Sequence, residues 1–255
     1  MKTRTLFAAL VMSLVPAFGF AASGGVHLDS VDIDPTDEAS LQRGAKVFMN
    51  YCSGCHTADY ARYNRMAKDI GLTDDQVSDN LIFTTDDNGE RTKVGSLIFS
   101  NMNKEYGKQA FGAAPPNLAL IARSRGVDYL YTYMRTFYLD PSRPVGVNNL
   151  AFPGVGMPHV LWELQGLKQP VYETETGDNG EAHEVLIGYE TVIEGSLTEE
   201  EYDTLVADLV NFLAYLADPI KVERHRIGIL VMLFLFAFLG VAILLKKEYW
   251  KDITK

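Results

Sequence analysis

Leu41, Ala45, Phe48 and Cys52 recur at intervals of three and four residues, the spacing that puts side chains on one helical face. This predicts a helix from about Asp37 to Tyr51, with Gly44 on the same side one turn before Phe48. A second stripe, Leu205, Leu209, Phe212, Leu213 and Leu216, predicts another helix. It opens at Thr198, which forms a capping box with Glu201. It closes at Asp218-Pro219, because proline disfavours a helical residue before it. Between the two, the pattern is mostly loops and short helices. Ser124 to Phe137 reads as helical. Val171 to Val192 reads as a β-hairpin turning at Gly177-Asp178-Asn179-Gly180.

Two further stretches are apolar with no polar face. Leu6 to Phe20 follows the basic Lys2 and Arg4 and ends in the small residues Gly19, Ala21 and Ala22. A short apolar run of this kind is expected to be a cleaved export signal over 1–22. Ile227 to Leu245 holds 19 residues without a charge. As a helix it extends roughly 28 Å, close to a bilayer core of about 30 Å. Arg224, Arg226, Lys246 and Lys247 flank it, and Tyr249 and Trp250 suit the interface. The chain therefore divides into a signal (1–22), an exported body (23–220), a membrane anchor (about 225–246) and a cytoplasmic tail (247–255). Export of the body sets the orientation, since the flanking charges are nearly balanced. The body is expected in the periplasm and the anchor in a bacterial inner membrane.

Composition changes this picture little: 47% of 255 residues are hydrophobic and 22% charged, as in globular proteins. Charge matters more. A net charge of −10 repels phosphates and argues against nucleic acid as a partner. Gln169 to Ile220 holds thirteen Asp or Glu and no Lys or Arg. Such a field either keeps the surface solvated or steers a basic partner in a salt-sensitive way.

Only two cysteines occur, both in Cys52-Ser53-Gly54-Cys55-His56. This C-x-x-C-H segment is the haem c attachment pattern. Two thiols add to the two vinyl groups on one porphyrin edge, and the adjacent histidine reaches the iron from the same turn. A thioredoxin-like dithiol would follow a strand rather than end a helix. A zinc site would need two more ligands at suitable spacing, yet His27, His159, His183 and His225 are scattered.

A methionine as second axial ligand suits electron transfer. Met157, in the extended Phe152-Pro153-Gly154-Val155-Gly156-Met157-Pro158 loop, is the leading candidate, with His159 next and Met102 and Met134 open. Met49 and Met66 fall on or near helices and read as core filler. A carbonyl in the rigid Ala114-Pro115-Pro116-Asn117-Leu118 loop can accept the His56 Nδ1 proton, or the loop is only a connection. Arg123 and Arg125 read as surface charges or propionate partners, with Tyr51, Tyr60 and Tyr63 as candidate helpers.

Taken in order, these segments resemble one family. They are Cys52 to His56 with Thr57-Ala58-Asp59-Tyr60-Ala61-Arg62-Tyr63-Asn64-Arg65, then Pro115-Pro116-Asn117-Leu118, Ile121-Ala122-Arg123-Ser124-Arg125, Phe152-Pro153-Gly154 and the anchor. The chain resembles cytochrome c1, the haem subunit of the cytochrome bc1 complex, in its short proteobacterial form. The resemblance implies a mainly α fold, a modified class I cytochrome c domain with a C-terminal transmembrane helix. In that fold the first and last helices of the haem domain cross, at Gly44 and Phe48 on one side and Phe212 and Tyr215 on the other. It implies Met157 as sixth ligand, Arg123 as a propionate partner and the Pro116 loop as support for His56. The stretch around Met157 is shorter than in mitochondrial relatives. The implied role is electron relay: from the Rieske iron–sulfur protein, beside cytochrome b, to a basic cytochrome c, in a dimeric complex. A free-standing anchored cytochrome c serving an oxidase is the alternative.

Overall fold

The structure is a computed structural model and describes residues 26–86, 88–176 and 182–253. The expected signal (1–22), the hairpin turn at 177–180 and the last two residues of the tail lie outside the described residues.

The first helix, α1 (Glu38–Val47), starts where Asp37 accepts the Ser40 amide. The pattern predicts a helix to Tyr51. The chain instead widens into a π turn over Phe48–Cys52. There Ser53 donates its amide to the Phe48 carbonyl and its hydroxyl to Met49, the carbonyl an α turn would have paired with that amide.

Next come β1 (Ala58–Arg62), α2 (Tyr63–Asp69), α3 (Asp74–Leu81), β2 (Leu97–Ile98), α4 (Lys104–Phe111), α5 (Ile121–Arg125) and α6 (Val127–Arg135). The single helix expected over Ser124–Phe137 is thus broken twice. Gly126, at φ 89°, separates α5 from α6. Phe137 leaves the helix for β3 (Phe137–Leu139), which pairs antiparallel with β4 (Val147–Asn149).

A short α7 (Trp162–Gln165) leads into the hairpin of β5 (Gly166–Thr176) and β6 (Ala182–Glu194). It runs longer than Val171–Val192, because Lys168-Gln169-Pro170 joins the ladder without an apolar alternation to announce it.

The closing helix of the body, α8 (Glu199–Ala217), begins at the Thr198–Glu201 capping box and ends at Asp218. The apolar helix α9 (Lys221–Trp250) is 30 residues long with none buried. It is longer at both ends than the 225–246 stretch, since its charged flanks stay helical. It is the one described helix long and apolar enough to cross a membrane.

The core is built where α1 crosses α8. A Cβ placed on Gly44 would sit 2.1 Å from the Asp208 carbonyl oxygen and 2.7 Å from the Phe212 Cβ. Only glycine allows this approach. One turn on, Phe48 and Phe212 meet at 5.7 Å between ring centroids, and both are fully buried. Each such side chain contributes roughly 2–3 kcal/mol of burial. Polar groups lock the crossing. Arg43 makes a two-pronged bond to Asp208 at 2.6 and 2.9 Å, and the Asn211 amide donates to the Asp34 carbonyl and to Ser40 Oγ. Arg135, at the end of α6, grips Asp203 of α8 and Asp29 of the N-terminal segment.

Candidate cofactor site

The π turn delivers Cys52 to the core side and ends α1 in a tight loop. The amides of Cys55 and His56 both donate to the Cys52 carbonyl, at 3.1 and 2.9 Å. Both thiols are free; Cys52 is buried and Cys55 half-exposed. Burial pushes the Cys52 thiol up to about 12, with Cys55 adding a smaller push, and burial raises Cys55 as well. A dithiol redox centre needs the opposite, a lowered thiol.

The His56 Nδ1 lies 2.8 Å from the Pro116 carbonyl oxygen. A carbonyl only accepts, so Nδ1 carries the proton and Nε2 keeps its lone pair. Burial lowers the His56 pKa, partly offset by that bond, so the ring is neutral near pH 7. The Pro116 loop is itself pinned: Leu118 donates its amide to the Thr57 carbonyl at 2.8 Å, and the Asn117 side chain bonds Asp59. On the other side of the motif, Ser100 donates its hydroxyl to the Gly54 carbonyl.

Met157 is half-buried and packs against the same apolar cluster as Cys52, Leu118, Tyr129 and Tyr133. Its loop is knotted in place by two asparagines. Asn149, fully buried, donates to the Tyr133 carbonyl at 2.7 Å and accepts from the Phe152 amide at 3.1 Å. Asn148 accepts from the Gly154 amide, where φ is 81°. The Met157 sulfur accepts a hydrogen bond from the Tyr133 hydroxyl at 3.4 Å. Burial pushes the Tyr133 phenol well above its usual range, with Tyr129 adding to the push.

His159 is buried and stacks on Phe137 at 4.8 Å, its ring nitrogens unpartnered among the described residues. Burial pushes it down to about 4; the Gln165 amide opposes this without reaching hydrogen-bond geometry, and Lys168 pushes the same way as burial. Met49, Met66 and Met134 are buried in the core. Tyr63 is buried in the same core, and Thr84 engages its hydroxyl. Arg123 is exposed in the last turn of α5, and the Arg125 guanidinium lies over the Tyr129 ring at 5.5 Å. The structure therefore joins His56 to Pro116 directly and gathers Cys52, Tyr63 and Met157 around one core, while Arg123 stands outside it. The sequence pattern alone does not single out Tyr133 or the Asn148–Asn149 pair. Their signals were the repeated tyrosines of α6 and the doubled asparagine just before the Phe-Pro-Gly loop.

These groups fit a c-type haem. Two unpaired thiols stand beside a neutral imidazole whose Nε2 is unused, and a thioether is held in an ordered loop.

Among known proteins, the Cytochrome C1 family profile matches residues 31–179 and 186–253. Cytochrome c1 of Allochromatium vinosum is 48% identical over 250 residues, covering 98% of this chain and 99% of that one. The protein named ammonia monooxygenase gamma subunit of Nitrosomonas europaea is 46% identical over 247 residues, 97% of each chain. Cytochrome c1 of Rhodospirillum rubrum is 27% identical over 284 residues, covering 98% and 97%.

Proposed function

The chain belongs to the cytochrome c1 family, and from that premise we propose that its body carries one covalently bound haem c relaying single electrons in respiration. The chain is the haem subunit of a ubiquinol–cytochrome c oxidoreductase, beside cytochrome b and the Rieske iron–sulfur protein. The observation that carries the site is the 2.8 Å bond from His56 Nδ1 to the Pro116 carbonyl, made by the last residue of the chain's only C-x-x-C-H segment, whose two thiols are free.

When bound, the haem supplies a one-electron iron(III)/iron(II) couple. Cys52 and Cys55 would hold it through thioether bonds, and His56 would ligate its iron through Nε2. The Pro116 carbonyl fixes the ring's tautomer and orientation, which also strengthens the imidazole as a donor. Met157 would offer its thioether sulfur to the same iron. Tyr63 would line the haem from the core, and Arg123 would meet a propionate from the surface. The body contributes no substrate chemistry of its own; it excludes water and holds the ligands. The electron comes from the Rieske protein and leaves to a basic cytochrome c that docks on the acidic stretch 169–220. The body is exported to the periplasm, α9 anchors it in the inner membrane, and the complex is dimeric.

The test is gentle solubilisation of the full chain followed by haem analysis. Co-purification of b-type haem and an iron–sulfur centre is expected. Purification with haem c alone points to a free-standing cytochrome serving an oxidase. Haem c recovered with an ammonia-oxidising assembly instead points to the role that the Nitrosomonas relative is named for. Turnover with a basic cytochrome c should slow as salt is raised; salt-independent turnover removes the docking reading.

A further inference from the structure

The Met157 sulfur is not alone in its loop. We propose that Tyr133, by donating a hydrogen bond to the Met157 thioether, is a positioning residue that raises the haem midpoint potential. The inference rests on the reading of Met157 as an axial ligand.

The donor is held from several sides. The Tyr133 main-chain carbonyl accepts from the buried Asn149 amide at 2.7 Å. Its ring meets Phe137 edge-on, at 5.2 Å and 76°. Tyr129 stacks on it at 6.1 Å and 20°. Phe137 in turn lies flat against His159, two residues beyond Met157, at 4.8 Å and 1°. Donor and acceptor thus belong to one packed column. The hydroxyl lies 3.4 Å from the sulfur, an ordinary hydrogen-bond length to a large atom.

The electronic consequence follows from the thioether's lone pairs. One is available to iron and another accepts the phenol proton. Hydrogen bonding withdraws density from the sulfur and weakens it as a donor. Iron(III) depends on that density more than iron(II), so the bond disfavours the oxidised form and raises the potential. Among the ways a protein tunes a haem, this is hydrogen bonding to a ligand atom.

The test uses the full-length holoprotein, with redox titration of the haem and the weak far-red band that sulfur-to-iron(III) charge transfer produces. Tyr133→Phe should keep the band and lower the midpoint. At a fixed ambient potential near the midpoint, the oxidised-to-reduced ratio should rise about threefold, or ~28 mV at 59 mV per tenfold for one electron. Tyr129→Phe, which removes a neighbouring hydroxyl with no bond to sulfur, should leave the midpoint in place. A retained band with an unchanged or raised midpoint in Tyr133→Phe overturns the proposal, as does an equal fall in Tyr129→Phe. If Tyr133→Phe loses the band, fluorotyrosine placed at 133 decides. Its more acidic phenol donates more strongly and should raise the midpoint, and no rise overturns the proposal. A wild-type protein without the band, or a Met157→Leu variant that keeps it, overturns instead the ligand reading beneath.

Discussion

Replacing Gly44 with alanine adds one methyl group at the point where α1 meets α8. The new Cβ would stand 2.1 Å from the Asp208 carbonyl oxygen, 2.8 Å from its carbon and 2.7 Å from the Phe212 Cβ. Real contacts need more than about 3 Å, so the helices must part by roughly 1 Å. None of these atoms is the free end of a side chain, so rotation brings no relief. Parting the helices also stretches the Arg43–Asp208 pair and loosens the Phe48–Phe212 contact. Overpacking of this kind costs about 1–3 kcal/mol, and the backbone partner places Gly44 at the upper end. Alanine's better helix propensity returns about 1 kcal/mol. The expected net loss is about 2 kcal/mol, or a fall of about 4–8 °C in Tm for a body of this size. Thermal unfolding of the full-length holoprotein, followed by near-ultraviolet circular dichroism, measures it. A Tm equal to or above that of the wild type refutes the claim that the crossing depends on the missing side chain.

Three other outcomes are expected. His159 titrates near 4 when folded and near 6.5 when unfolded, so the folded state disfavours its proton. Its contribution is full above pH 6.5 and is lost as pH falls toward 4, by about 3 kcal/mol over the window; His159→Phe should flatten that part of a stability–pH curve, and an unchanged slope speaks against it. Asn149→Ala leaves the Tyr133 carbonyl and the Phe152 amide without their partner, for a loss of about 2–4 kcal/mol in denaturant titration; a loss under 1 kcal/mol would show that the Phe152 loop holds itself. Cys55→Ser should still show haem mass on the acid–acetone-washed chain, through Cys52 alone. The Cys52→Ser, Cys55→Ser double variant should show none, and haem retained there would deny thioether attachment.

Local chemistry made some features legible and hid others. The start of α8 was readable because Thr198 and Glu201 complete each other within one turn, the hydroxyl taking the Glu201 amide at 3.3 Å and the carboxylate taking the Thr198 amide at 2.9 Å. The α1–α8 crossing was readable only through the family resemblance, since nothing near Gly44 names Phe212. The break at Gly126 went unread because the apolar periodicity continues through it, and a positive φ has no signature in its neighbours. The π turn over Phe48–Cys52 went unread for a related reason. Its cause is a shift of one hydrogen bond from Met49 to Phe48, and the same residues satisfy either pairing.

The two sides of the candidate site differ in the same way. His56 is held by a main-chain oxygen, and every residue has one, so the letters of the 114–118 loop mark rigidity without naming the acceptor. What selects Pro116 is the geometry of the loop, set by the Leu118 bond to Thr57 and by Asn117 on Asp59. Met157 is held by a phenol, which only tyrosine supplies, and 24 residues separate donor from acceptor. The first support should therefore survive many substitutions at 116 that keep the loop's shape, whereas the second fails with the loss of one oxygen atom at 133. A site with one support of each kind keeps its histidine geometry under sequence change and concentrates adjustment of its potential in a single side chain.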